Sequence, residues 1–453
     1  MRVVALLYLC PRVGALHCAG AVSAGEILPR SHLPRRAERR SKDPRRRVRV
    51  MKILYVSSLY PPAIGGAQIQ LHHLARAAQA AGADVKALCY SDRNRTDWLR
   101  FTTFACETPL DYEYEGIPVH RMGFRPDTRL RMLPWAAAYY PCIVPAARAI
   151  ARLTQPYVAE ACAGMDLIHL TRIGREFIAR ACLEQARQQG IPSVLTPNHH
   201  PRWRGWRYAE YDHLYREADA LIVYTESEKE TLVQDIGVEA DRIHVTGVGP
   251  IVSEDYSVED FRSAHGLEGQ RYVLFLGQQY EYKGMAGVLG AAKLVWKEFP
   301  DVRFVFIGPH TPYSRELFQG VSDPRVLNLG AVSMADKAAA LAGCEFLCMP
   351  SMQESFGGVY IEAWCYGKAA IGGRIPAIQC VIDDGVNGLL TSQEPAELAG
   401  HIAALLRDPE RCARMGEAGR TKGREQFSWE RIAEKTLDIY RGLLQPRAEG
   451  AAV

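Results

Sequence analysis

The sequence predicts an α/β chain made of two doubly wound, Rossmann-like halves that face each other across a cleft. Three observations predict this. From Met51 onward, short apolar runs alternate with amphipathic helical segments, which is the pattern of layered parallel sheets. A polar, acidic, poorly periodic stretch from Ser253 to Gln270 divides the alternation into two series. Each series opens with a strand that runs into a glycine-bearing turn and then a helix, and ligands of open α/β sheets bind beyond such turns.

In the first series the run Lys52-Ile53-Leu54-Tyr55-Val56 is short, continuous and apolar, so a buried strand is expected over 52–57. A Pro-Pro-Ala-Ile-Gly-Gly turn at 61–66 leads to a helix over 67–81 and a strand over 84–90. Strands follow at Asp166–Leu170, Ser193–Thr196, Ala220–Thr225 and Arg242–Thr246. Helices over 174–189, 206–218 and Ser227–Ile236 separate them. The stretch Ser253 to Gln270 reads as a short helix within a connection.

The second series begins at Tyr272 with a strand over 272–277 and a helix over 286–299. Strands are expected over 302–308, 326–329, 345–350 and 369–373, with helices over 334–342, 357–366 and 377–383. Three long helices close the chain, over 394–407, 409–425 and 428–444, and Ser428 is suited to cap the last. The expected domains are therefore 51–250, 251–427 and a terminal helix and tail over 428–453. Two doubly wound halves turn the carboxyl ends of their strands toward one another, so the cleft between them is the natural site.

Composition narrows the class. Nearly half of the 453 residues are apolar and about a quarter are charged, as in globular proteins. No window offers the ~18 uninterrupted apolar residues of a spanning helix. The twelve cysteines are scattered without a C-x-x-C pair, and Cys344 and Cys348 lie in an apolar run, as buried thiols do. A reduced, cytoplasmic compartment is expected, and neither a disulfide framework nor a metal site.

The net charge of +4 hides an asymmetry. Residues 1–50 carry 12 Lys+Arg and 3 Asp+Glu, which leaves the remainder at −5. Three readings of this leader stand. Met51 is the true start, the favoured reading, because a strand begins right after it. A signal sequence could be cleaved near Val22-Ser23-Ala24. A basic arm could contact a membrane surface or nucleic acid. In each case 1–50 is expected to be disordered. Nucleic-acid binding rests on this leader alone and is not expected of the rest.

The chemistry concentrates in Pro350-Ser351-Met352-Gln353-Glu354-Ser355-Phe356-Gly357-Gly358-Val359-Tyr360-Ile361-Glu362. Glu354 on the loop can accept hydrogen bonds from sugar hydroxyls. Backbone N–H groups after Phe356, at Gly357 and Gly358, lie at a helix start and can face a diphosphate. Glu362, a turn further on, can accept from a ribose diol. The plainer alternative is a helix N-terminus with a favourable charge and one solvated glutamate.

This segment resembles the E-x7-E signature of the family 4 glycosyltransferases, retaining enzymes of the GT-B fold. The resemblance runs from about Met51 to Leu444 and is stronger in the second half. Gly277-Gln278-Gln279-Tyr280-Glu281-Tyr282-Lys283-Gly284 resembles the family's G-R-x4-K-G loop, whose basic residues neutralise the donor diphosphate. Lys283 and Gly284 match it, and Gln278 stands where the arginine is expected. An amide can donate a hydrogen bond but brings no charge, so Lys283 and the helix start must do more. Pro61-Pro62-Ala63-Ile64-Gly65-Gly66 resembles the family's P-P-x-x-G-G loop, near donor phosphate and acceptor.

The family also has a histidine facing the reacting sugar. In Thr196-Pro197-Asn198-His199-His200 the candidates are His199 and His200, with Asn198 competing for the position. His72 and His73 read as a partly exposed helix face without chemistry. Arg125 to Leu153 mixes basic and aromatic residues with prolines, which suits a membrane interface, an acceptor pocket or a kinked packed helix.

The resemblance implies a GT-B architecture whose last helix crosses back to the first domain. It also implies transfer of a sugar from a nucleotide donor, a UDP- or GDP-sugar, to a hydroxyl of a glycan or lipid-linked acceptor, with retention and without a metal or other cofactor. Cell-surface glycan, glycolipid or polysaccharide synthesis is the expected setting, in the cytoplasm or at the inner membrane face. The alternatives are a nucleotide-sugar-binding protein without turnover and a nucleotide-sugar epimerase or phosphorylase on the same architecture.

Overall fold

The computed structural model describes residues 50–63, 66–91, 108–139, 141–171, 177–199, 203 and 205–445. The leader therefore lies outside the described residues, apart from Val50, as do the site candidates Gly65 and His200.

Two sheets organise the chain. The first has eight strands in the order β3-β4-β2-β1-β5-β6-β7-β8. These are β1 Lys52–Leu59, β2 Asp84–Ser91, β3 Leu110–Tyr114, β4 Ile117–Arg121, β5 Leu167–Thr171, β6 Ser193–Thr196, β7 Ala220–Val223 and β8 Ile243–Val245. Its pairs are parallel except β3 with β4, which form an antiparallel hairpin. The second sheet is parallel, in the order β11-β10-β9-β12-β13-β14. Its strands are β9 Tyr272–Leu276, β10 Arg303–Ile307, β11 Val326–Gly330, β12 Leu347–Met349, β13 Ala370–Gly373 and β14 Gly388–Thr391.

The order places the ligand crevices. In the first sheet the chain runs outward from β1 through β2, then returns to the other side of β1 at β5. In the second it runs outward from β9 through β10 and β11, then returns beside β9 at β12. At such a reversal the two following loops part to opposite faces and leave a crevice at the carboxyl ends. The loop after β9 carries Lys283 and the loop after β12 carries Glu354. Two segments about seventy residues apart in the chain are thereby made neighbours.

Burial follows the strand pattern. Strands β5, β6, β7 and β9 are buried at every position, as expected for sheets covered on both faces. The second half has one core, containing Phe275, Phe304, Phe346, Tyr360 and Trp364. Phe261 and Leu267 belong to that core, so the short helix Val258–Ala264 is packed against the second half. The first half has a core on each face of its sheet. One of them is completed by Ile432, Leu437 and Tyr440 of the helix Trp429–Leu444. That helix crosses back to the first half, capped by Ser428, whose side chain accepts from the N–H of Arg431. It binds by an amphipathic stripe, with Ile432, Ala433, Thr436, Leu437 and Tyr440 inward at helical spacing.

Some elements depart from expectation. The β3–β4 hairpin, the helix Pro312–Gln319 and strand β14 were not signalled by the alternation. The hairpin turn is Glu115-Gly116, with φ of +46° and +83°, the two positive values that a two-residue hairpin turn requires. Arg125–Leu153 lies in the helices Pro126–Ala137 and Ile143–Cys162, whose Met132, Ile143, Ile150 and Val158 enter the core while Leu130 and Trp135 stay exposed. His72 is buried, contrary to the exposed-face reading. Its Nδ1 lies 3.0 Å from the Tyr60 hydroxyl and its Nε2 3.4 Å from Glu115. Burial lowers its pKa, and that of its neighbour His73 to about 4.

Candidate active site

The loop after β9 is built around a buried glutamine. Gln279 is fully buried, its amide bonded to Asn328 at 2.6 Å and to His310 at 2.9 Å. Its backbone oxygen accepts from Thr311 Oγ1. This anchor leaves Gln278 beside it exposed, and turns the chain toward Lys283. Adjacent residues of an extended segment point opposite ways, which explains why one glutamine is structural and the other free to meet a ligand.

The loops after β9 and β12 are latched together. The N–H of Met352 donates to Tyr282 O at 2.9 Å. The Gln393 amide donates to both Tyr282 O at 2.9 Å and Pro350 O at 2.8 Å. On this latch the Lys283 ammonium donates to Oε1 of Glu354. Both side chains are only 13% exposed, so the pair is held in a sheltered pocket wall, and such a pair is shielded less by solvent than a surface one.

The loop that carries Glu354 runs directly into a helix start. Gly357, with φ of +89°, caps the helix Gly358–Cys365, and an added Cβ there would lie 2.4 Å from the Tyr360 ring. Only glycine serves at that position. The Tyr360 hydroxyl is itself tied to Met349 O at 2.8 Å, which locks the helix to the end of β12. Phe356 is buried against Phe427, with Tyr224 of the first half at 6.3 Å between centroids. Its ring packs inside the protein and fixes the loop, so that a ligand contact at this position falls to the backbone.

Glu362 lies on the buried face of this helix, and Lys337 Nζ stands 2.8 Å from its Oε2. Oε1 accepts from the N–H of Ile251 at 3.4 Å, and Lys337 donates to Ile251 O at 3.0 Å. Lys337 and Gln393 were missed in the sequence because no local pattern marks a residue that acts on a distant segment.

In the first half, Gly66 is the first residue of the helix Gly66–Ala80, after β1. Tyr112 Oη donates to Pro61 O at 2.7 Å and fixes the intervening turn. His199 follows β6 and is buried. Its N–H donates to Oε1 of Glu228 at 2.7 Å, and its ring packs edge-on to Trp203 and Tyr215. Asn198 before it has φ of +49°. Gly65 and His200 fall outside the described residues. The structure thus brings Lys283 to Glu354 and Glu362 to Lys337. His199 is held within the first half.

Two family models cover most of the chain. "Glycosyl transferase 4-like domain" matches residues 65–249 and "Glycosyl transferases group 1" matches residues 257–422. The chain belongs to the GT-B glycosyltransferases of family-4 type. This family 4 chain is 29% identical over 56% of its length to alpha-maltose-1-phosphate synthase of Mycolicibacterium smegmatis, of which 73% is covered. It is 30% identical over 55% of its length to a D-inositol 3-phosphate glycosyltransferase of Xylanimonas cellulosilytica, of which 62% is covered. Phosphatidyl-myo-inositol mannosyltransferase of Mycobacterium tuberculosis is 32% identical over 40% of this chain and 51% of its own. The chain therefore spans about half to three quarters of these relatives. Among solved structures, Anabaena Alr3699/HepE in complex with UDP and glucose matches with a TM-score of 0.65 at 20% identity. That match covers 86% of this chain and 99% of the other, and it shows the shared fold. Among the described residues no helix is long and apolar enough to cross a membrane, and no group of three His, Cys, Asp or Glu could hold a metal ion.

Proposed function

We propose that this chain moves a sugar from a nucleotide-sugar donor to an acceptor hydroxyl, with retention at the anomeric carbon. The observation that carries the reading is the latched pair of loops that sets Lys283 against Glu354, three residues ahead of the helix start at Gly357. A cation, an acceptor carboxylate and free helix-terminal N–H groups are what a diphosphate leaving from a sugar needs around it.

In this reading the Lys283–Glu354 pair is the donor-free arrangement. The donor diphosphate takes Lys283, and the sugar hydroxyls take Glu354. The helix N-terminus, Gly357 and Gly358, adds N–H donors that strengthen as charge builds on the leaving phosphate. Gln278 contributes a neutral donor. Glu362 accepts from the ribose. One of His199 and His200, or Asn198, lies near the reacting sugar across the cleft. UDP is the favoured nucleotide because Alr3699/HepE was solved with UDP and with UDP-glucose. GDP is the alternative.

The acceptor is proposed to be a glycan or a lipid-linked saccharide of the cell surface. Peripheral contact with the inner membrane face is supported by Leu130, Trp135 and Trp206, which are 67%, 41% and 59% exposed, with Arg125, Arg131 and Arg207 nearby in the chain. Sedimentation with anionic vesicles tests this, and equal recovery of Trp206→Ser would remove the contact.

The experiment for the whole reading is a panel of UDP-, GDP- and ADP-sugars, scored for binding and slow hydrolysis beside Glu362→Ala. One nucleotide bound selectively, lost in the variant, with sugar released, supports the transferase. Binding without hydrolysis or transfer favours a nucleotide-sugar-binding protein, a second reading motivated by the uncharged Gln278.

A further inference from the structure

The backbone that joins the two halves is gripped residue by residue. Gly249 O accepts from the Gln70 amide at 2.8 Å, and Pro250 O accepts from Trp429 Nε1 at 2.9 Å. Ile251 O accepts from Lys337 at 3.0 Å, and the N–H of Ile251 donates to Glu362 at 3.4 Å. The N–H of Ser253 donates to the Tyr366 hydroxyl at 3.2 Å, which in turn donates to Ser253 O at 2.8 Å. Gln70 belongs to the first half, and Lys337, Glu362 and Tyr366 to the second. One member of this grip, Glu362, is also the carboxylate read above as the ribose contact.

We infer that Lys337 is a positioning residue for donor recognition: its ammonium holds the Glu362 carboxylate against Ile251, so that ribose binding and the interdomain linker share one anchor. This rests on the reading of Glu362 as the ribose contact. The geometry argues for it in two ways. Lys337 reaches both partners at once, at 2.8 Å to the carboxylate and 3.0 Å to the linker carbonyl. Both charged groups are sheltered, with the side chains of Lys337 and Glu362 18% and 6% exposed. A carboxylate buried to that degree is expensive to leave uncompensated, so Lys337 is what keeps it in place. Oε2 is buried and lies near Lys337 without a hydrogen-bond partner of good alignment. Each carboxylate oxygen accepts more than one bond, so a ribose hydroxyl can be added without expelling the lysine.

The pairing distinguishes positioning from bulk packing. A carboxylate held by Lys337 presents a fixed pair of oxygens to a 2′,3′-diol. Without the lysine it is free to turn, and its preference for the diol is lost along with the link to the linker.

The test uses the full chain with UDP and GDP, each compared with its 2′,3′-dideoxy form, by titration calorimetry. Wild type is expected to prefer the ribonucleotide by about tenfold or more, the effect of hydrogen bonds to a charged group. Lys337→Met should reduce that preference to about twofold, and Lys337→Arg should restore most of it. Nucleotide should also change Trp429 emission, since its indole reports on Pro250, and Lys337→Met should suppress that change. Full preference retained in Lys337→Met while Glu362→Gln loses it overturns the role of Lys337 and leaves the ribose reading standing. Preference retained in Glu362→Gln overturns the ribose reading itself. Equal or tighter ribonucleotide binding by Lys337→Met overturns the positioning role, and binding of neither UDP nor GDP to wild type overturns the ribose reading on which it rests.

Discussion

His169 and Tyr440 are hydrogen-bonded to each other inside the first half, although 271 residues separate them in the chain. His169 Nε2 lies 2.8 Å from Thr196 Oγ1, and the Tyr440 hydroxyl donates to Tyr55 at 3.3 Å. Strands β1, β5 and β6 and the C-terminal helix thus meet in one buried polar cluster. Tyr440→Phe removes the shared hydroxyl and leaves a buried imidazole nitrogen and the Tyr55 hydroxyl short of a partner. The expected loss is about 1–3 kcal/mol, read from urea unfolding with an unchanged m-value.

The same cluster makes stability depend on pH. Burial pushes His169 down to about 3, so it stays neutral in the folded protein. The unfolded chain takes up a proton near the ordinary histidine value, about 6.5. Between those values the unfolded state binds more protons, so stability rises with pH and is lost as pH falls below about 6.5. For this one group the slope approaches about 1.4 kcal/mol per pH unit. Unfolding at pH 7.5 and pH 5.0 should show a smaller difference in His169→Asn than in wild type, and an equal difference would refute the assignment.

Lys283→Ala should lower kcat by about a hundredfold or more, as removal of one charge-stabilising donor does. Gln278→Arg supplies a second cation on the exposed side of the same loop. It should tighten nucleoside diphosphate binding by about tenfold at low salt, with the gain shrinking as salt is raised. Calorimetry across a salt series checks it, and no change would mean that position 278 does not face the phosphates.

Gly249→Ala tests the linker. An added Cβ would lie 2.4 Å from the Trp429 ring, so the indole must move and surrender its bond to Pro250. The expected cost is about 1–3 kcal/mol, with a red shift in tryptophan emission. A fully native spectrum and melting temperature would refute the close approach.

Arg180 is buried between Glu210 and Glu217, at 2.6 Å from each. Its side chain is 3% exposed and that of Glu210 1%. Arg180→Met should cost about 3 kcal/mol, because it leaves the buried Glu210 with only Arg148, at 3.4 Å, while Glu217 keeps Arg187 at 3.3 Å. Denaturant unfolding of the variant measures it.

Much of the fold was legible because parallel strands buried on both faces write continuous apolar runs. The runs at Ile53–Val56, Val273–Leu276 and Phe304–Ile307 are of this kind, and each became a strand. The β3–β4 hairpin was less legible because Leu110–Tyr114 sits at the sheet edge, half exposed and without a clear alternation. Glu115-Gly116 was the available signal, and a glutamate with positive φ is uncommon enough to be passed over. At the site, Lys283 and Glu354 could be read from their own loops. That they touch depends on β9 and β12 being neighbours, which belongs to the sheet order. Phe356 sat within the right motif, yet its partner Phe427 lies at the far end of a long helix and no local spacing announces it.

The helix Trp429–Leu444 supplies Ile432, Leu437 and Tyr440 to a core that otherwise belongs to residues near the start of the chain. On a ribosome, β1 emerges hundreds of residues ahead of the helix that covers it. The first half therefore cannot bury that face until Trp429–Leu444 has been made. Truncation ahead of this helix exposes Tyr55 and its neighbours, so the order of synthesis and the order of burial run opposite ways in this half.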